Sequence, residues 1–350
     1  MVTDRIGPRG ERFEAASRGQ MLLIGAVLIA VTIVALALVI NTVLYTANVG
    51  SAQEATQIND VDEFTYEATR NARSIMLRVN HVQRNRSISD VNANTTRALM
   101  EYSDGLSRSF ATTGTVYANV TYSGTVVNGT RIVQWQDRNF SEPGNPTNGD
   151  WGVVPGSTSD IGWFLLNVNV RDTSTTESTI SVTHGSETLN YTLNQSANDN
   201  LSVIVTDGSG SVLDAVSCQS TGGRALVDLY GGSSPTGECT FPGIEETLNA
   251  PMTVDVHNGT EITGQYAIVT NRTWDGTPWN GLPTCTASGG ERCLTPAVWQ
   301  GSIDLTYLSE TVQLSQQRNV SVYGGPHERP PARHTDIAPI RFELPSPPGY

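Results

Sequence analysis

Two residue types in this sequence are spaced for covalent chemistry: cysteine and asparagine. The four cysteines stand at Cys218, Cys239, Cys285 and Cys293, in surroundings rich in Gly, Pro, Ser and Thr. Four cysteines allow three pairings, and we favour the nearest neighbours, Cys218 with Cys239 and Cys285 with Cys293. Each closed loop would restrict the unfolded chain and add about 2–4 kcal/mol. Zinc ligation is the rival chemistry, disfavoured because neither a CxxC pair nor a His at ligand spacing accompanies these cysteines. Asparagine followed by x-Ser/Thr is the acceptor signature for N-glycosylation. Asn85, Asn94, Asn119, Asn128, Asn139, Asn190, Asn194, Asn200, Asn258, Asn271 and Asn319 all carry it, whereas Pro146 disqualifies Asn145. None precedes residue 85, a distribution that fits an exported glycoprotein.

Catalytic patterns are scarce. The chain has no GxSxG elbow, no HExxH and no phosphate-binding P-loop. His81, His184, His257, His327 and His334 are scattered, and two of them flank the turn-like Gly185-Ser186 and Asn258-Gly259. Asp207-Gly208-Ser209-Gly210-Ser211 lacks the alternating carboxylates and terminal Glu of a calcium loop, so it reads as a hairpin turn. Trp135, Trp151, Trp163, Trp274, Trp279 and Trp299 could line a sugar-binding surface, although core packing is the ordinary use of such residues. We expect no enzyme activity, no cofactor and no metal. The balance of 21 basic against 34 acidic residues, net −13, also argues against nucleic acid as a partner, because phosphates require a basic footprint.

These residues need a framework, and the chain supplies two kinds. Residues 51–110 read as helical. Ile58, Val61, Thr65, Ala68, Ala72, Ile75, Val79 and Val82 recur at steps of three and four. Asn85-Arg86-Ser87 interrupts the pattern, with Ser89 or Asp90 as the cap of a second helix carrying Ala98, Tyr102, Leu106 and Phe110. Arg70, Arg73, Arg78, Arg84 and Arg86 read as a solvated helix face. From Val116 the character turns to β. Asn128-Gly129 between Thr125–Val127 and Arg131–Trp135 is a two-residue hairpin signal. Residues 140–162 read as a loop carrying Trp151, and short strands follow at regular spacing, among them Leu201–Asp207, Met252–His257, Ser302–Tyr307, Thr311–Leu314 and Val320–Tyr323, with turns at His184-Gly185 and Asp207-Gly208. The expected fold is α+β: a helical stalk, then a mainly antiparallel, sandwich-like β domain. The tail from Gly325 is Pro-rich and reads as a linker.

The N-terminus sets the location. A leader carrying Arg5, Arg9, Arg12 and Arg18 precedes an apolar run from Met21 to Leu44, and no charge occurs between Arg18 and Glu54. A helix crosses a hydrocarbon core with about 20 apolar residues, so the run predicts a single membrane span. Basic residues favour the cytoplasmic side, which puts the later residues outside. All 21 basic residues are Arg and none is Lys. An acidic surface of this kind suits brine, where the Debye length is about 3 Å at 1 M salt and carboxylate repulsion costs little.

The junction Arg18-Gly19-Gln20, the apolar run with its early Gly25, and Val39-Ile40-Asn41-Thr42 resemble the class III leader of archaeal type IV pilin-like proteins and archaellins. The likeness covers about the first 45 residues, and the chain that follows is much longer than a compact pilin head. The resemblance implies cleavage between Gly19 and Gln20 by a prepilin peptidase, and assembly of the apolar helix with other pilin-like copies. The Lys-free, acidic, Thr-rich composition resembles surface proteins of halophilic archaea, and the whole pattern resembles their uncharacterised pilin-like families. The expected organisation is a cytoplasmic leader at 1–19, a membrane or pilin-core helix at 20–45, a helical stalk at 46–112, an extracellular β-rich domain at 113–324, and a Pro-rich tail at 325–350. A surface-anchored binding glycoprotein that does not polymerise is the alternative.

Overall fold

A computed structural model describes residues 60–82, 85–113, 116–196, 198–235, 239–286, 292–310 and 312–323. The expected leader, the apolar run and the Pro-rich tail lie outside the described residues. The chain separates into two units, Met1–Phe64 and Thr65–Tyr350. Of the first, only residues 60–64 are described, and they are helical. No helix among the described residues is long and apolar enough to cross a membrane.

The second unit is α+β and mainly antiparallel β. Helix α1 occupies residues up to 82 and helix α2 runs Ile88–Thr113. The strands follow as β1 (Tyr117–Asn139), β2 (Trp151–Ser159), β3 (Ile161–Asn169), β4 (Ser178–His184), β5 (Glu187–Gln195), β6 (Leu201–Asp207), β7 (Val212–Cys218) and β8 (Arg224–Asp228). A short helix α3 (Ile244–Thr247) precedes β9 (Met252–His257), β10 (Thr263–Thr270), β11 (Arg292–Leu308) and β12 (Gln313–Ser321). One sheet has the order β12-β11-β1-β10-β3-β8 and curls into a half-barrel; the other has the order β2-β9-β4-β5-β6-β7. Every pairing between these strands is antiparallel.

The two sheets share one apolar core. Ile132, Phe164, Leu166 and Ile268 from the half-barrel meet Ile180, Tyr191, Val203 and Val254 from the second sheet. The ring of Phe140 stands edge-on to Tyr266 at 5.1 Å within it. In the second sheet alternation is clean: Leu201, Val203 and Val205 are buried while their neighbours are partly exposed, as the period of two requires. Asp207-Gly208 and His184-Gly185 join β6 to β7 and β4 to β5 as expected. Asp207 Oδ1 accepts the backbone N–H groups of Ser209 at 2.8 Å and Ser211 at 2.9 Å, an Asx turn rather than a metal loop.

The half-barrel departs from the sequence reading. Asn128-Gly129 is no hairpin; it lies inside the 23-residue β1, which pairs with β11 from Tyr117 to Gln134. Bulges near Gly124 and Val127 bend this strand, and each adds local twist. Gly129 is there for space, since a Cβ would sit 2.5 Å from the carbonyl oxygen of Thr270. The expected 140–162 loop contains β2, with Trp151 buried in it. The strand read as Ser302–Tyr307 extends back to Arg292, and the residues read as two short strands near 314 and 320 lie in one strand, β12 (Gln313–Ser321), with the Val322 N–H donating to the Trp299 carbonyl beyond it; Thr311 lies outside the described residues.

Helix α1 buries the expected line at Thr65, Ala68, Ala72 and Val79, with one exchange, whereas α2 buries a different face from that expected. On α1 the seat belongs to Met76 rather than Ile75, and a Cβ on Gly301 of β11 would lie 2.8 Å from its sulfur. On α2 the buried line is Val91, Thr95, Leu99 and Ser103, one position round from Ala98, Tyr102 and Leu106. The cap of α2 is Ser87, not Ser89 or Asp90. Ser87 Oγ accepts the Asp90 N–H and Asp90 Oδ2 accepts the Ser87 N–H, both at 3.1 Å, the reciprocal geometry of a capping box. These bonds, led by the one from the Arg86 N–H, hold the Asp90 carboxyl below its usual range.

Candidate functional site

A buried polar arrangement lies where α1 meets the half-barrel. The side of β11 away from β1 has no strand beside it near Val298, because pairing with β12 starts at Gln300. Asn80 takes the place of that strand. Its Nδ2 donates to the Val298 carbonyl and its Oδ1 accepts the Val298 N–H, both at 2.8 Å. Both backbone groups would otherwise be buried without partners, at about 1–3 kcal/mol each. Asn80 Nδ2 also donates to Tyr323 Oη at 3.1 Å, and Tyr323 Oη lies 2.8 Å from His81 Nε2. The His81 ring rests 4.8 Å from Trp163.

Arg131 completes the arrangement. Its side chain is buried, and its Nη1 donates to the Asn80 carbonyl at 2.8 Å. That carbonyl belongs to the last turn of α1, where the helix dipole places partial negative charge. The guanidinium also stacks 4.7 Å from the Trp135 ring. No carboxylate pairs with it among the described residues, and burial lowers its pKa to about 10. Burial, then the Arg131 charge, pushes His81 well below the usual imidazole value, so it sits neutral.

Helix α2 uses the same device on β1. Ser103 Oγ accepts the Val120 N–H at 2.9 Å and donates to Asn119 Oδ1 at 2.7 Å, and Ser107 Oγ donates to the Ala118 carbonyl. These strand groups lie where β1 has β11 on one side only. Covering an open sheet edge with a helix removes a template for unwanted strand pairing. The arrangement is built to fix helices to a sheet. Sequence reasoning missed Asn80, Ser103, Arg131 and Tyr323, because side-chain bonds to distant backbone leave no periodic signal.

The cysteines form two disulfides, Cys218–Cys239 with Cα atoms 5.1 Å apart and Cys285–Cys293 with Cα atoms 4.9 Å apart. The domain is therefore a disulfide-bonded one, of a kind that suits an oxidising compartment. Gly19 and Gln20 lie outside the described residues. The described histidines form no cluster with other metal-ligating side chains: His184 Nδ1 lies 2.9 Å from the Pro251 carbonyl, and His257 Nδ1 lies 3.6 Å from Asp150 Oδ1 in an exposed pair, while His327 and His334 lie outside the described residues. No group of metal-ligating side chains occurs among the described residues. The tryptophans do not form one platform. Trp151 and Trp299 are buried, and Trp274 and Trp279 lean on the core, with Arg272 stacked 4.5 Å from Trp279.

The sequons divide by what their carboxamides do. Asn85 is 1% exposed and gives its Nδ2 to the Val79 carbonyl. Asn94, Asn139, Asn190 and Asn194 are half-buried, with Nδ2 donating to Asn85 Oδ1, Thr260 O, Asp207 O and Thr175 O. Asn119, Asn128, Asn200 and Asn271 are half-buried and accept at Oδ1 from Ser103, Trp274, Ser220 and Asp160. Asn258 and Asn319 are exposed, and their side chains bond to nothing among the described residues.

The model of a family of unknown function (DUF7261) matches residues 15–156, which take in the N-terminal apolar run, both helices, β1 and the start of β2. No curated protein and no solved structure matches the chain.

Proposed function

We propose that the chain is a membrane-anchored, pilin-like cell-surface glycoprotein. Its apolar N-terminal helix holds it in the membrane and assembles with the helices of other pilin-like copies, and its β domain is displayed outside. The observation that carries this reading is a charge-free run from Met21 to Leu44, behind Arg18-Gly19-Gln20, in one chain with a doubly disulfide-bonded domain. The run has the length of a membrane span. Disulfides persist in oxidising compartments, so the run and the domain fit opposite sides of one export step. The Lys-free acidic composition supports a home in brine, among halophilic archaea. A prepilin peptidase is the expected processing partner and lipid the expected surround. The mechanism is display: packing of an uncharged helix outside catalysis, with the domain as cargo.

The test is made on full-length protein extracted from membranes of its native cells. N-terminal sequencing should begin at Gln20, and cysteines placed along the apolar run should cross-link neighbouring copies. Replacing Gly25 by Leu should leave membrane levels intact but reduce the cross-linked multimers, because small residues let helices approach closely. Mature protein still carrying residues 1–19 contradicts processing. A membrane-extracted protein that yields no multimers contradicts assembly and leaves the non-polymerising surface glycoprotein.

A further inference from the structure

Of eleven sequons, the fold leaves two carboxamides both exposed and unengaged, and we propose that Asn258 and Asn319 are the N-glycan attachment sites of the folded domain. The proposal rests on the exported-glycoprotein reading and assigns its sites.

An acceptor asparagine must present Nδ2 to a transferase and then keep a bulky sugar in water. Asn85 meets neither condition, because its side chain is 1% exposed and its Nδ2 is committed to the Val79 carbonyl at 3.1 Å. Freeing it would leave that carbonyl and Asn94 without their partners. Four further sequons spend Nδ2 on hydrogen bonds, and another four hold their carboxamides half-buried through Oδ1.

Asn258 is held differently. It ends β9 in a left-handed turn, φ 53°, a conformation that asparagine tolerates. Its backbone is tied down: its N–H donates to Asp150 Oδ1 at 3.0 Å, its carbonyl accepts from Glu261, and Gly259 N–H donates to the Gly149 carbonyl at 2.9 Å. The middle position of the sequon tolerates only glycine, since a Cβ on Gly259 would meet the Phe140 carbonyl at 2.3 Å. The turn is fixed and the side chain alone projects free. Asn319 lies in β12, the end strand of the half-barrel. Val320 turns inward and is 3% exposed, while Asn319 faces water. A sugar there would stand beside an open sheet edge, where it would hinder strand pairing with another molecule.

The chemistry is a group transfer from a lipid-phosphate-linked oligosaccharide. The asparagine Nδ2 forms a bond to the anomeric carbon as the bond from that carbon to phosphate oxygen breaks. The lipid phosphate leaves with the electron pair, and Nδ2 gives up one proton. The hydroxyls of Thr260 and Ser321 complete the two acceptor motifs.

The experiment is glycopeptide mass spectrometry on the full chain purified from its native cells, with the N-terminus of the same sample sequenced. Peptides containing Asn258 and Asn319 should carry glycan mass, and the Asn85 peptide should not. Thr260→Ala should remove the mass at Asn258 alone and Ser321→Ala the mass at Asn319 alone. Thr260→Ser should retain it. Intact disulfides in each variant separate loss of the motif from loss of the fold. Unmodified Asn258 and Asn319, or Asn85 modified as fully as either, overturns the assignment. If the N-terminus is then Gln20 in membrane-extracted protein, the anchored reading stands while the site assignment falls.

Discussion

The two sheets of the domain solve the same problem by different means. The second sheet is ordinary in its parts: short strands, hairpins at Asp207-Gly208 and His184-Gly185, alternating burial, and a disulfide from the end of β7 to Cys239. The half-barrel has two long, bulged strands, glycines at points of close approach, and edges closed by polar side chains from helices. The first kind of sheet depends on apolar area and chain closure. The second depends on a few hydrogen bonds whose loss strands backbone groups in the interior.

That contrast can be broken by mutation. Asn80→Ala removes both partners of Val298 and one of Tyr323, and should cost about 3–4 kcal/mol in urea unfolding. A cost under about 1 kcal/mol would mean that water repairs the edge. Removing the Cys218–Cys239 disulfide, which spans 21 residues, should cost about 3 kcal/mol. Loss of Cys285–Cys293, which spans only 8, should cost less by about 1 kcal/mol, read from the same titration.

Protonation probes the half-barrel and the helix packed on it, which hold two titrating groups whose pKa values burial shifts in opposite directions. His81 stays neutral when folded, its pKa pushed below the usual 6.5 by burial and then by Arg131. The unfolded chain binds that proton more readily, so this contribution is present above pH 6.5 and drains as pH falls below it. Asp228, at the end of β8, runs the other way. Burial raises its carboxyl from 3.8 to about 6, against the pull of N–H bonds from Gly231 and Tyr230. Its contribution is present below pH 3.8 and lost as pH rises through 6. Asp228→Asn keeps an acceptor for both N–H groups, and should stabilise the protein by about 1–2 kcal/mol above pH 6, with the gain vanishing near pH 4. Thermal melts across that range check it. Ser103→Ala, which leaves the Val120 N–H without its partner, should cost about 1 kcal/mol by the same melts.

The sequence was most legible where local rules decide the structure. The strands Leu201–Asp207 and Met252–His257 were readable to the residue, because alternation and turn chemistry lie within one short window. Cysteine proximity in sequence led to the two bridges for a similar reason. Asn128-Gly129 misled because its turn signal is local, while β11 and β10 flank it from residues far along the chain. Trp151 was read into a loop because Gly152, Pro155 and Gly156 punctuate a strand that pairs irregularly with β9. Asn80 was invisible for the deepest reason. A polar residue on a helix looks solvated unless the strand edge it meets is known. The same logic separates the sequons, which are identical as motifs and differ only in what their carboxamides touch.

The direct test of the contrast is amide hydrogen exchange on the wild type and Asn80→Ala, read at Val298 in the half-barrel and Val203 in the second sheet. In the wild type both amides should exchange only through global unfolding. In the variant Val298 should exchange through a local opening far faster than Val203, whose protection should fall only by the loss of global stability. Equal changes at the two amides would show that Asn80 has no special hold on the edge of β11, and would contradict the account.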